Sequence, residues 1–250
     1  MKRKPANRNK SPARKPSSAA LAAIAAMLAL CVCAGGFLLF TSGAVKLPNS
    51  AGQAAGPPAT AAGNSAPAEP SVPDINDQYI TIVGDSIVVG ATPELKKRLA
   101  NVSINAKVGR TMPTGYDILS SREKDGTLED ADVIVVSLAN NISGNSIAKA
   151  KDIIALVQPG QRLVFVTGHG LSSMKPLNDF LRTLPDDYDW ITVADWDSAI
   201  SLDTEWLASD GIHAANNKAN VLYANIVTDA IQLALAKPAA PLSQATGNTG

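Results

Sequence analysis

The sequence predicts a three-layer α/β/α sandwich built on a five-stranded parallel sheet and preceded by one transmembrane helix. Three observations predict this arrangement. Short β-branched runs alternate with helical patterns over residues 77–236, an uncharged run occupies residues 19–40, and a segment poor in large apolar side chains separates the two. Strand–helix alternation is typical of a parallel sheet with helices on both faces.

The N-terminal residues predict a signal anchor. Residues 1–18 hold seven lysines and arginines and no acid, and the apolar run 19–40 is long enough to cross a bilayer as a helix. Because cations favour the cytoplasmic side, we expect a single-pass membrane protein with a cytoplasmic N-terminus and an extracytoplasmic body. A cleaved secretory signal is the alternative, since the small residues 42–44 offer a cleavage site. We interpret Cys31 and Cys33, inside the run, as apolar filler.

Composition predicts open chain on both sides of the folded part. Of the 36 residues in 41–76, 23 are Ala, Gly, Pro or Ser, and residues 237–250 have a similar composition. Such segments bury too little apolar surface to fold, so we predict a disordered linker and a disordered tail. The chain has 22 basic and 22 acidic residues, so the part after residue 18 is acidic. This charge argues against a nucleic-acid partner.

Five apolar runs are predicted to form the sheet. They are residues 79–83, 102–106, 132–138, 162–167 and 190–194. Helical patterns lie between or after them, near 92–100, 114–122, 145–157, 173–183 and 217–235. In a parallel sheet of this kind the active site lies beyond the carboxyl ends of the strands.

Residues with catalytic chemistry follow these strands. Ser86 lies just past the first strand, Gly109 past the second and Asn141 past the third, while Asp210 and His213 precede the last helix. A serine needs a base to become a nucleophile, and a histidine base needs a carboxylate to fix its tautomer. Backbone N–H groups and an asparagine amide are suitable donors to an oxyanion.

The chain has a second histidine, His169, after the fourth strand. It has no nearby carboxylate in sequence, whereas Asp210 lies three residues before His213. We therefore prefer His213 as the base and interpret His169 as a solvated loop residue or a substrate contact.

These strand-end residues resemble the four blocks of the SGNH (GDSL-type) hydrolase family. The blocks are Gly84-Asp85-Ser86, Gly109, Asn141 and Asp210-x-x-His213. Within that family, the stretches 106–110, 195–196 and 206–213 resemble the extracytoplasmic SGNH domain of bacterial peptidoglycan O-acetyltransferases. The resemblance covers residues 78–235 and implies a flavodoxin-like SGNH hydrolase fold.

The resemblance also implies roles for these residues. Ser86 is expected to be the nucleophile, His213 the base and Asp210 the residue that orients it. The oxyanion is expected to accept hydrogen bonds from the backbone N–H groups of Ser86 and Gly109 and from the Asn141 side chain. We expect neither a metal nor a cofactor. Weaker candidates for substrate contact are Trp196, Trp206 and Arg110, with core packing as the alternative for the two tryptophans.

Two residues depart from the family pattern. Ala139 stands where a glycine is usual, and Ile142 follows Asn141 where glycine or aspartate is usual. Either methyl-bearing side chain is expected to narrow the pocket or shift Asn141, and Asn140 is a possible substitute for Asn141. The full-length acetyltransferases also carry a multi-span acyltransferase module, whereas this sequence predicts one span. A separate multi-span membrane protein is therefore an expected partner for acetyl supply.

The sequence thus predicts a membrane-anchored extracytoplasmic SGNH-type serine esterase or O-acetyltransferase. It is expected to act through an acyl-serine intermediate on acetyl esters of cell-wall or surface glycan. One alternative is a lipolytic esterase on free small esters. Another is a non-catalytic glycan-binding or assembly module that keeps the fold.

Overall fold

The computed structural model of the chain describes residues 72–242. The predicted cytoplasmic tail, the predicted transmembrane helix, most of the predicted linker and residues 243–250 lie outside the described residues. Between residues 72 and 242, no helix has both the length and the apolar character that crossing a membrane requires.

The sheet has five parallel strands, as predicted. They are β1 (Ile80–Gly84), β2 (Val102–Ala106), β3 (Val133–Ser137), β4 (Arg162–Val166) and β5 (Ile191–Ala194), in the order β2-β1-β3-β4-β5. Ile82 pairs in register with Ile104 on one side and Val135 on the other. The chain order reverses between β1 and β3, so this is the switch point at which α/β sheets form a crevice for ligands.

Six α-helices cover the two faces of the sheet. They are α1 (Ser86–Arg98), α2 (Met112–Lys124), α3 (Ser146–Ile154), α4 (Lys175–Asp187), α5 (Trp196–Ile200) and α6 (Asn217–Leu235). One core cluster joins the sheet to α1, α5 and α6, and a second joins it to α2, α3 and α4. Successive strand residues point to opposite faces, so Ile82 enters the first cluster and Val83 the second. The predicted three-layer arrangement is confirmed.

The turn between β1 and α1 is set by two residues. The Asp85 side chain accepts a hydrogen bond from the Ile87 N–H at 3.0 Å and thereby caps α1. A Cβ atom on Gly84 would lie 2.2 Å from Cγ2 of Val88, so only glycine allows the strand and the helix to pack this closely. The helix therefore begins at Ser86, earlier than the pattern near 92–100 indicated.

The folded part extends slightly beyond residues 77–236. Ile75 is buried within a short 3₁₀ helix, Ile75–Asp77, inside the segment predicted as linker. Ala240 is also buried, and its N–H donates to the Gln161 carbonyl at 2.8 Å. Composition alone did not reveal these contacts, because each depends on one apolar side chain that joins a core cluster of the domain.

Candidate active site

The structure brings Ser86, His213 and Asp210 together in one chain of hydrogen bonds. His213 Nε2 lies 2.9 Å from Ser86 Oγ, and His213 Nδ1 lies 2.7 Å from Asp210 Oδ2. With Nδ1–H donating to the carboxylate, Nε2 carries the lone pair that accepts the serine proton. The side chains of His213 and Asp210 are about half exposed, at 47% and 48%, so the site opens directly to solvent.

The segment 207–214 holds the base and its carboxylate in place. Leu207 and Ala214 form an antiparallel bridge, and the Ala208 N–H donates to the His213 carbonyl at 2.7 Å. Gly211 has φ 69°, a left-handed conformation that lets the chain reverse between Asp210 and His213. The resulting tight turn explains why only two residues, Gly211 and Ile212, separate the acid from the histidine.

The Asp210 carboxylate is also fixed by the backbone. Its Oδ1 accepts hydrogen bonds from the N–H groups of Ile212 at 2.9 Å and His213 at 3.0 Å. The hydrogen bond from the His213 side chain, followed by these two, lowers the pKa of Asp210 to about 2. Asp210 therefore stays ionised wherever His213 acts as a base.

Three hydrogen-bond donors sit at the ends of the three strands around the switch point. The N–H of Ser86 opens α1 and the N–H of Gly109 lies in the turn after β2; neither donates to another residue within 72–242. Gly109 has φ 74°, and its Cα faces open space. The third donor, the Asn141 side-chain amide, follows β3 and is half-buried. These are the three predicted oxyanion donors.

Asp85 links two of these strand ends. It is fully buried, and its Oδ2 accepts a hydrogen bond from Asn141 Nδ2 at 3.3 Å, while Oδ1 accepts from the Ile87 N–H. Burial raises the pKa of Asp85 to about 6, against the lowering effect of hydrogen bonds from Ile87, Asn141 and the Asn140 N–H. The carboxyl group thus holds the Asn141 amide in the site, leaving its second N–H for an oxyanion.

The departures at the β3 end are accommodated by the fold. The Asn140 side chain turns away and donates to the His169 carbonyl at 3.0 Å, so Asn141 is the asparagine bonded to Asp85 beside Ser86. Ala139 is buried in the core cluster on the α2–α4 side of the sheet. Ile142 is 36% exposed and does not line the cavity beside Ser86.

A cavity of about 130 Å³, here called the Ser86 cavity, lies between α1, α6 and the His213 segment. Ser86 and His213 form part of its wall, which otherwise is mainly apolar. The apolar lining comprises Ile87, Trp196, Ile212, Ala214, Ala219 and Tyr223. It offers an apolar space next to the serine oxygen.

The three weaker candidates for substrate contact have different positions. Trp196 lines the Ser86 cavity but is only 2% exposed and packs edge-on against Tyr223. Trp206 is half-buried beneath Lys218, in a separate groove along α6. Arg110 is buried, and its guanidinium donates to the Gly84 carbonyl, the Asn105 carbonyl and the Asn105 side chain. The structure therefore assigns Arg110 to the fold, where it joins the ends of β1 and β2.

Sequence reasoning missed the partner of His169. His169 Nδ1 lies 2.9 Å from Asp197 Oδ1, and Arg182 binds the other oxygen of that carboxylate at 3.0 Å. Asp197 is 28 residues further along the chain, so no local spacing signals the pair. Only the neighbouring positions of β4 and β5 bring these side chains together.

The parallel α/β sheet carries Ser86 after β1, Gly109 after β2, Asn141 after β3 and the Asp210–His213 pair before the last helix, the positions that the SGNH resemblance implies. The resemblance inferred from the sequence is thus confirmed at the level of the fold. A scan against protein-family models gave no match, and a search of curated proteins gave none.

Several solved structures are similar to this chain. The chain is similar to the C-terminal catalytic domain of peptidoglycan O-acetyltransferase A (OatA) of Streptococcus pneumoniae, determined with a methylsulfonyl adduct, with a TM-score of 0.61 and 22% identity. The match covers 66% of this chain and 98% of that domain. The lipase Lip_vut3 from a goat rumen metagenome (TM-score 0.48, 14% identity) covers 61% of this chain and 97% of its own. A G-D-S-L family lipolytic protein of Veillonella parvula (0.47, 14%) covers 60% and 96%. The OatA likeness shows that this chain has the fold of that domain.

Proposed function

We propose that the protein is a serine esterase or O-acetyltransferase that acts through an acyl-Ser86 intermediate on acetyl esters of cell-wall or surface glycan. The observation that carries this proposal is the continuous hydrogen-bond chain from Asp210 through His213 to Ser86, beside three oxyanion donors. A non-catalytic binding module would have no physical reason to keep an intact triad. The OatA domain, named as the catalytic domain of a peptidoglycan O-acetyltransferase, supports the choice of acetyl ester and glycan.

In the first half of the reaction, Ser86 Oγ attacks the ester carbonyl carbon while His213 Nε2 takes the hydroxyl proton. The carbonyl oxygen becomes an oxyanion and accepts hydrogen bonds from the Ser86 N–H, the Gly109 N–H and Asn141 Nδ2. Collapse of this intermediate breaks the bond to the leaving sugar oxygen, which receives the proton from His213. The product is acetyl-Ser86 and a free sugar hydroxyl.

In the second half, His213 takes a proton from an incoming hydroxyl, whose oxygen attacks the acetyl carbonyl. The new oxyanion is held by the same donors, and its collapse returns the proton from His213 to Ser86. Water as the acceptor gives acetate, whereas a sugar hydroxyl gives a new ester. The triad is the same in both cases, so the choice depends on which hydroxyl is held beside Ser86.

The Ser86 cavity supports a short acyl group. Its volume of about 130 Å³ is close to the 150 Å³ of a cavity that holds one benzene molecule. An acetyl group fits in such a space, while a chain of eight or more carbons does not. We therefore expect acetyl esters to be turned over well and octanoyl esters poorly. A preference for long chains would instead indicate a lipolytic esterase.

The exposure of the triad supports a polymeric substrate. Half of the His213 side chain is open to solvent, so no residue between 72 and 242 forms a lid or tunnel between the triad and a long glycan. An enclosed channel, which would favour free small esters or lipids, is not formed by the described residues around Ser86.

We further propose that the catalytic domain is extracytoplasmic and tethered to the membrane by residues 19–40, and that a multi-span membrane acyltransferase supplies acetyl groups when transfer occurs. The basic residues 1–18 and the apolar run that follows support this orientation. Protease added to intact cells should cut within residues 41–71 and release an active fragment. Protection of the domain from that protease would contradict the orientation.

The catalytic proposal is tested by labelling and turnover together. A sulfonyl fluoride should attach covalently to Ser86, as seen by peptide mass spectrometry, and a chromogenic acetyl ester should be hydrolysed. Ser86→Ala and His213→Ala should both abolish turnover, because triad residues act as a unit. Ser143→Ala, a serine in the loop before α3, is the matched control and should keep both activities. Full turnover by the Ser86 variant would exclude the proposed mechanism.

Transfer is tested with an acceptor. Mass spectrometry should show acetyl groups moving from a donor ester to an added cell-wall oligosaccharide at the expense of acetate. Acetate as the sole product at every acceptor concentration would leave an esterase.

A further inference from the structure

A second and larger cavity adjoins the triad. It has a volume of about 460 Å³, within the roughly 300–1,000 Å³ of small-molecule sites. Its wall combines the loop after β4 with side chains of α4 and α5 and with Gly211 of the His213 segment; the polar side chains that matter below are His169, Lys175, Asp179, Arg182 and Asp197. We call it the β4 cavity.

The loop after β4 contacts both the turn that carries Asn141 and the segment that carries Asp210 and His213. A Cβ atom on Gly168 would lie 2.4 Å from the Ala139 carbonyl oxygen, so this loop packs directly on the turn that carries Asn141. A Cβ atom on Gly170 would lie 2.6 Å from Cγ1 of Ile212, between Asp210 and His213. A ligand in the β4 cavity therefore lies next to both the oxyanion side and the base side of the site.

Hydrogen bonds and ion pairs hold the side chains of the cavity wall in place. Asn178 holds Gly168 by two hydrogen bonds, accepting from its N–H at 2.9 Å and donating to its carbonyl at 2.7 Å. Arg182 binds both Asp195 and Asp197, and Asp197 in turn fixes the ring of His169 through Nδ1. Within residues 72–242, His169 Nε2 has no hydrogen-bond partner, so it is the ring nitrogen left for a ligand.

The charges on the wall favour a neutral ligand with many hydroxyl groups. Lys175 pairs with Asp179 at 2.5 Å, and Arg182 pairs with Asp195 and Asp197, so neither cation is left without a counter-ion. An anion or a cation would have to compete with these pairs. A sugar hydroxyl both donates and accepts hydrogen bonds. It can therefore donate to His169 Nε2 and bond to the exposed N–H groups and carboxylate oxygens of the ion pairs without breaking them.

We propose that the β4 cavity is a sugar-binding subsite for the glycan residue adjacent to the one whose acetyl ester is made or broken at Ser86. This inference rests on the proposed function and names the part of the substrate that the triad does not touch. His169 Nε2 accepts a hydrogen bond from a hydroxyl of the sugar ring, and the Lys175 ammonium group at the rim of the cavity donates one. Both are substrate-positioning residues.

Binding is measured without turnover on the full-length chain carrying Ser86→Ala. The probe is a soluble tetrasaccharide prepared from bacterial peptidoglycan, titrated by calorimetry. In this background His169→Ala should weaken binding by about 5- to 10-fold, as expected for one lost hydrogen bond. His169→Gln, which keeps an acceptor, should recover part of the loss. Lys149→Ala, which removes a lysine paired with Asp152 on α3, is the control and should bind as the parent does.

A second readout uses chains with Ser86 intact. The ratio of kcat/KM for an O-acetylated tetrasaccharide to kcat/KM for a chromogenic acetyl ester should fall by about 5-fold or more in His169→Ala, mainly through KM. Lys175→Ala should move the ratio in the same direction. Its side chain is 75% exposed, so this variant tests the cavity even where His169→Ala fails to fold.

The outcomes separate the two proposals. Unchanged tetrasaccharide affinity and an unchanged ratio in both variants, with normal labelling of Ser86, would overturn the subsite while leaving the esterase or transferase. Tetrasaccharide turnover with no measurable binding to the Ser86→Ala chain would also overturn it. Absence of both labelling and turnover in the wild-type chain would instead refute the proposed function.

Discussion

The buried carboxyl group of Asp85 makes a quantitative prediction about stability. Its oxygens accept hydrogen bonds from the Ile87 N–H, from Asn141 Nδ2 and from the Asn140 N–H. The titratable groups near it are His213, Arg110 and Tyr223. Asp85→Asn replaces one of these oxygens by an NH₂ group that faces donors. The amide cannot ionise, so the variant removes the titration along with part of the hydrogen bonding.

The raised pKa of Asp85 decides whether its contribution to stability rises or falls with pH. Burial raises the pKa of Asp85 from 3.8 to about 6, so the folded state holds this proton more tightly than the unfolded state does. The contribution of Asp85 to the free energy of unfolding therefore falls as the pH rises from about 4 to about 6.5. A rise in the pKa of Asp85 from 3.8 to about 6 corresponds to a loss of about 3 kcal/mol of unfolding free energy. This loss is complete once the pH is well above the pKa of the folded state.

Urea denaturation followed by tryptophan fluorescence measures this effect. We expect the difference in unfolding free energy between wild type and Asp85→Asn to change by about 2–3 kcal/mol between pH 4 and pH 7.5, in the direction that disfavours wild type at the higher pH. Ser86→Ala, in the same turn, keeps the carboxyl group and should track the wild-type slope. A difference between wild type and Asp85→Asn that does not vary with pH would refute the reasoning.

Three further predictions concern neighbouring residues. Asn141→Ala should lower kcat for a chromogenic acetyl ester by about 10²–10³-fold, while Asn140→Ala should lower it much less; the reverse order would mean that Asn140 serves the oxyanion. Arg110→Ala should cost about 2–3 kcal/mol in urea denaturation, because it removes the guanidinium hydrogen bonds that join Gly84 of β1 to Asn105 of β2. A raised KM at unchanged stability would instead indicate substrate contact. Gly168→Ala should lower the free energy of unfolding by about 1–3 kcal/mol, because it forces a methyl group against the Ala139 carbonyl. Gly144→Ala is the control and should be tolerated, since its methyl group meets nothing within 4 Å. Equal thermal midpoints for the two variants would contradict this.

The sheet and the proximity of Ser86, His213 and Asp210 were predictable because their signals are local. A continuous apolar run marks β3, and the three-residue spacing of Asp210 and His213 reports one tight turn. Fold class then placed Ser86 and Asn141 at the same edge of the sheet, on neighbouring strands β1 and β3. Each of these inferences needs only the chain within one element and a general rule about parallel sheets.

The contacts that sequence reasoning missed all join distant parts of the chain. His169 and Asp197 meet because β4 and β5 are neighbours, and neither residue type is unusual where it stands. Arg110 follows a predicted oxyanion residue, so its position suggested substrate, yet its side chain folds back onto β1. Side-chain direction at a strand end depends on the local turn, which residue spacing does not determine.

The exposure of the triad also bears on the choice between hydrolysis and transfer. Water reaches His213 at all times, because half of its side chain is open, and bulk water is present at about 55 M. A sugar hydroxyl competes only when it is held in place, where its effective molarity can reach roughly 10⁵ M or more. The described residues form no lid that could exclude water, so we expect acceptor binding in the proposed β4 subsite to supply this advantage. The fraction of acetyl groups transferred should then rise with acceptor concentration and level off as that cavity fills, and His169→Ala should shift the midpoint of this curve to higher acceptor concentration. A transferred fraction that increases linearly with acceptor and is the same in wild type and His169→Ala would mean that the sugar reacts by collision, without a subsite.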